Sequence, residues 1–180
     1  MWYEIDPVDR VSAVCPQWNE EAAQNGAMGL MAEKVIGRKI WGFLDGVAPF
    51  QHYAAIFEMV RQNGFSASYT FRSDAPIRQS TVELTISPLS KQALRLTTRV
   101  LRKRSVPYSP LWDHTKPRNS DVIKACSWCK ALNLGQKWMT LKQAELRRAD
   151  LRSFCPPQVS HDVCPECDQH LAQSRRRAAA

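Results

Sequence analysis

The sequence predicts an α+β protein: an antiparallel sheet with helices on one face, followed by a small metal-held module. Three observations lead there. Three successive stretches alternate apolar and polar residues with period two, as strands with one buried and one wet face do. An amphipathic helical stretch precedes them, and two CxxC pairs, Cys126/Cys129 and Cys164/Cys167, lie near the C-terminal end.

Taken in order, residues 10–15 alternate and read as a strand. Asn19 is placed to cap a short helix, with Glu20 and Glu21 suited to its positive end. A longer helix is predicted over 49–62, where Phe50, Tyr53, Ala54, Phe57 and Val60 share one face. Asn63 and Gly64 supply a left-handed stop. The strands follow: Phe65, Ala67, Tyr69 and Phe71 alternate in the first, Val82, Leu84 and Ile86 in the second, Leu94, Leu96, Thr98 and Val100 in the third. Turns are expected at residues 74–76 and 88–90. Helices packed on one face of such a meander satisfy the pattern.

Two residues between cysteines let both sulfurs turn toward one point, and two such pairs make a tetrahedron suited to Zn²⁺. Cys126, Cys129, Cys164 and Cys167 are therefore the expected ligands of a structural zinc. Two disulfides or reduced structural thiols are the other readings of the same cysteines. The pairs are 34 residues apart, room for a helix, and Thr140 with Gln143 forms a capping-box signature for one over 141–153 that Pro156 and Pro157 end.

The chain has 180 residues, is 44% hydrophobic and carries a net charge of +8, enough apolar content for a core. Residues 1–10 hold Glu4, Asp6 and Asp9 and do not read as a signal peptide. No apolar run approaches the ~20 residues of a membrane helix, so no membrane insertion is expected. A reducing cytoplasm is the expected location, where cysteines serve as ligands or core residues. The positive excess, including Arg147, Arg148 and Arg175 to Arg177, permits weak contact with nucleic acid or an acidic partner, but a solvated face with a frayed basic tail is the simpler reading. The predicted organisation is a first domain over 1–105, a Pro-punctuated linker over 106–120, a cysteine module over 121–172 and a disordered basic tail over 173–180.

Residues 10–25, with Trp18 opening the first helix, residues 35–38 with Trp41, residues 43–46, and the hairpin residues 71–76 together resemble a PAS sensor domain. The likeness covers about residues 1–104. Residues 126–130, Trp138 and residues 159–167 resemble a cysteine-rich segment attached to bacterial signalling proteins, with the pattern CxWCK…W…SHxxCPxC. The resemblance implies a bacterial signal-transduction protein, a sensor domain with a metal-stabilised tail. It implies no output activity, because the kinase, receiver and cyclase signatures of larger relatives are missing.

Other residues carry narrower expectations. His161 either replaces a metal ligand or orients one through a hydrogen bond, and Lys130 offsets the charge of a four-thiolate centre. Trp128 and Trp138 are expected to pack around the metal, and Cys155 to be buried. His52 is a haem-ligand candidate, since some PAS sensors hold haem through a helix histidine, yet it lies off the predicted apolar stripe. Cys15 is discounted as a flavin-adduct cysteine. Trp18, Trp41, Phe43, Phe57, Tyr69 and Phe71 are expected as core, or as the lining of a small ligand cavity. Arg72 and Asp74 are expected to pair.

No Ser/His/Asp order, HExxH motif or phosphate-cradling glycine loop is present, so no enzyme is expected. The expected function is a sensor or adaptor that binds a small-molecule ligand, a protein partner or a second copy of itself. A nucleic-acid-binding regulator and a redox-responsive zinc switch are the alternatives.

Overall fold

The structure, a computed structural model, describes residues 1–44 and 46–178, the last four by backbone alone. It is α+β. Strand β1 (Trp2–Ile5) forms a hairpin with β2 (Val11–Val14). The turn between them is fixed by the Asp6 carboxylate, which accepts from the amides of Val8 and Arg10. β1 is absent from the predicted elements. Its four residues give only two alternations, set among acidic residues, yet it lies inside the sheet.

Short helices α1 (Trp18–Gln24) and α2 (Ala32–Val35) lead to the long helix α3 (Val47–Asn63). Asn19 does not cap α1, since it lies inside that helix. Its side chain accepts from the Ala32 amide at 2.7 Å and ties α1 to α2 instead. Gly64 ends α3 in the left-handed region as expected, at φ 70°. The buried face of α3 is Pro49, His52, Ile56, Phe57 and Val60, whereas Phe50 is 42% exposed. The burial is rotated toward 52 and 56 because α3 covers two surfaces, the sheet and the cysteine-bearing segment.

Strands β3 (Ala67–Ala75), β4 (Arg78–Pro88) and β5 (Leu94–Ser105) form the expected meander. The sheet order is β2-β1-β5-β4-β3, antiparallel throughout. Ala67, Tyr69, Leu84, Ile86, Leu94 and Leu96 point into the core with Ile5, Ile56 and Phe57, and Val82 is buried as well. Two predicted inward residues do not: Phe65 precedes β3 and is exposed, and Val100 lies where β5 has run past β1 and bulges at Leu101.

The remaining chain forms a second sheet that the sequence reading lacks. Strands β6 (Val122–Cys126), β7 (Leu132–Leu134), β8 (Lys137–Met139) and β9 (Gln158–Asp162) take the order β8-β7-β6-β9, with β9 parallel to β6. Gly135 and Gln136 join β7 to β8 with positive φ at both positions, the geometry of the tightest hairpin turn. The capping box of Thr140 and Gln143 forms as expected. The helix it starts, α4 (Leu141–Glu145), is much shorter than 141–153. The chain then turns through a 3₁₀ segment, Ala149–Arg152, that drives Leu151 into a second core with Leu111, Trp112, Ile123 and Ala144. Leu111 and Trp112 come from the stretch expected as a linker, so the chain is packed there. Helix α5 (Pro165–Ala178) carries helical backbone through 173–178, part of the stretch expected as a disordered tail; residues 179 and 180 lie outside the described residues. No described helix is long and apolar enough to cross a membrane.

Candidate metal centre and the junction around it

The four predicted ligand residues converge. Cys126 ends β6, Cys129 follows one tight turn later, Cys164 precedes α5 and Cys167 lies in its first turn. Pro165 starts α5, a position that has no use for an amide proton. All four Sγ atoms lie within 4.8 Å of one another, and Cys129 Sγ is 3.7 Å from Cys164 Sγ. A tetrahedron with metal–sulfur bonds of ~2.3 Å has sulfur edges of about 3.8 Å. All six cysteines are free thiols, so neither disulfide is formed.

The donor chemistry fits a cation. The Cys126 sulfur accepts a hydrogen bond from the Cys129 thiol and from the amides of Cys129, Cys164 and Trp128, which draw its pKa down to about 4 against the opposing effect of burial. The Cys129 thiol, as donor to that sulfur, is pushed up. Burial and then the Cys126 charge push Cys167 up to about 12. The bare cluster thus accommodates a thiolate at Cys126 and resists ionisation at Cys129 and Cys167. A bound metal ion removes that conflict, because coordination keeps each thiol deprotonated. The N-terminal end of α5 adds favourable potential for negative sulfur.

Trp128, between the first two cysteines, is 6% exposed and belongs to the core of the first sheet. Its ring lies 5.3 Å from that of Tyr53 and 5.7 Å, edge to face, from His52, both on α3. Its carbonyl accepts from the Arg72 amide at 2.7 Å, filling a hydrogen-bonding position on edge strand β3. Cys126, Trp128, Cys164 and Leu171 are therefore part of the first core. Trp138 packs against the same core, half-buried. Gly46 makes a further contact: a Cβ there would lie 2.2 Å from the His161 carbonyl oxygen, and φ is 95°.

The remaining sequence candidates sort as follows. His52 Nε2 lies 3.0 Å from Asp168 Oδ1 of α5, in a buried position, so the ring edge a haem iron would need is turned to a carboxylate. His161 is outside the four-sulfur group and borders a cleft instead. Lys130 follows Cys129 with φ 60° and borders the same cleft. Arg72 and Asp74 do pair, along β3 rather than across a turn. Cys155 is exposed, contrary to expectation, because Leu151 takes the inward position in that segment. Cys15 is buried at the end of β2.

Trp18, Trp41 and Phe57 are packed as core. Trp41 stacks 5.3 Å from Phe57, and the indole N–H groups of Trp41 and Trp18 donate to Asp9 and to the Leu30 carbonyl. Phe43 and Phe71 instead border a cleft of about 660 Å³ between the two sheets, shared with Tyr53, Trp112 and Arg118. The reading of the sequence missed this junction. The one signal in the sequence was Gly46 just before α3; the burial of His52, off the predicted stripe, emerged only with the fold.

No family model matches this chain, and neither do any curated protein or solved structure.

Proposed function

We propose that the chain is a PAS-like sensor or adaptor of the bacterial signal-transduction type, in which one zinc ion on Cys126, Cys129, Cys164 and Cys167 fixes the second sheet against the first. The observation that carries this reading is the placement of Trp128. A residue flanked by two metal ligands is a core residue of the other domain, so metal binding and the packing of α3 and β3 are mechanically joined. The order of elements supports the PAS-like part: a strand hairpin, short helices, a long helix and an antiparallel meander whose last strand pairs with β1. Four thiolates close the coordination shell, leaving zinc a structural role with no position for substrate. Signal transfer is then a population shift between two packings at this junction, driven by a ligand or partner that prefers one of them.

Metal analysis with a visible absorption scan of reduced protein tests the reading. About one zinc per chain and no visible band supports a cofactor-free sensor or adaptor. A Soret or flavin band would replace it with a haem or flavin sensor. A second reading, nucleic-acid binding, is favoured by Arg102, Lys103 and Arg104 on the exposed end of β5, which have no carboxylate partner among the described residues. Steeply salt-dependent DNA or RNA binding would support it. The side chains of Arg175 to Arg177 lie outside the described residues. A redox switch would show as zinc loss and disulfide formation under mild peroxide.

A further inference from the structure

The cleft between the sheets has the composition of a ligand site. One wall is aromatic and apolar: Phe43, Tyr53, Phe71 and Trp112, the last with a buried indole N–H that has no acceptor among the described residues. The other wall is cationic. Arg72 is matched by Asp74, whose side chain is 5% exposed and also receives Gln79. Lys130 has no carboxylate within ion-pair distance among the described residues. Arg118 spends its guanidinium on the carbonyls of Leu111, Asp113 and Pro157 and pairs with no carboxylate among the described residues. The Asp113 carboxylate is directed to Tyr108 and Thr115 rather than to Arg118. With the histidines neutral, the groups bordering the cleft sum to an excess of positive charge. The sulfurs of the metal centre carry negative charge behind Lys130, but none of the four cysteines borders the cleft.

We propose that this cleft binds a small organic anion, a planar aromatic body bearing one carboxylate, with the ring against Phe43 and Tyr53 and the acid group on Lys130. A cavity that is mostly apolar with a few convergent polar groups is the usual form of such a site. The proposal deepens the sensor reading by naming its ligand class, and it rests on that reading for its biological meaning. The site lies where the two sheets meet, so occupancy would favour one of their packings.

Calorimetric titration of the zinc-loaded full chain with 2-naphthoate, and separately with the neutral 2-naphthamide, tests it. Naphthoate is expected to bind with Kd below about 1 mM and the amide at least about tenfold more weakly, the scale of one charge-assisted hydrogen bond. Lys130→Gln, checked for unchanged zinc content, should weaken naphthoate about tenfold and leave the amide unaffected. Phe43→Ala, likewise checked for unchanged zinc content, should weaken both probes. Equal binding of acid and amide, no response to either variant, or no binding by a zinc-loaded chain would overturn the proposal. The last result would leave the zinc-held sensor reading standing, whereas a chain purified without zinc contradicts that reading directly.

Discussion

Trp128 shows at the scale of one residue how the parts are joined. Its indole fills a space bounded by Tyr53 and His52 of α3. Trp128→Ala should therefore destabilise the chain by about 3–5 kcal/mol, the range for truncating a buried aromatic, read from the denaturation midpoint. Gly46 is a second such residue. Gly46→Ala places a methyl carbon against the His161 carbonyl at a positive φ, and a lowered thermal midpoint is expected. An unchanged midpoint would mean that the loop before α3 yields without cost. Tyr53 reports the same junction through pH. Burial raises its phenol to about 12, and that of Tyr3 is raised further. A folded-state pKa above the unfolded value means that the stabilisation is complete below pH ~10 and is lost as pH rises through 12. Phenolate absorbance should show Tyr3 and Tyr53 ionising late. Ionisation of all four tyrosines near their ordinary value would contradict the packing.

At the scale of elements, helix α4 depends on its cap. Thr140 and Gln143 satisfy each other's backbone amides, and Thr140→Ala should cost about 1 kcal/mol of stability. The same cap shows what was legible in the sequence. Local signals with a fixed geometry came through: the capping box, the glycine stop after α3, the period-two strands of the meander and the two cysteine pairs. Elements defined by distant partners did not. β1 is four residues long and is a strand because β2 and β5 flank it. The strands β6 to β9 are three to five residues each, too short for a period to emerge. On α3 the predicted Phe57 and Val60 are buried, but Pro49, His52 and Ile56 replace Phe50, Tyr53 and Ala54, because a stripe read from one helix assumes one partner, and α3 has two.

At the scale of the whole molecule, the convergence of the four cysteines was legible from spacing alone, but their attachment to the first core was not. A separate module joined by a linker is the natural reading of Pro107, Pro110 and Pro117. Instead Leu111 and Trp112 pack into the second core, while Cys126, Trp128 and Cys164 belong to the first. On this account metal binding is not confined to the tail. If a metal is bound as proposed, acidification that protonates the thiolates and releases it should loosen the contact between the first sheet and the second.

The central claim is tested most directly by hydrogen exchange at the Arg72 amide, which donates to the Trp128 carbonyl from edge strand β3. Zinc-loaded protein should protect this amide. Removing about one zinc per chain with a chelator under reducing conditions should expose it while amides between β4 and β5 stay protected. Protection of Arg72 that survives metal removal would contradict a zinc ion that pins the two sheets together.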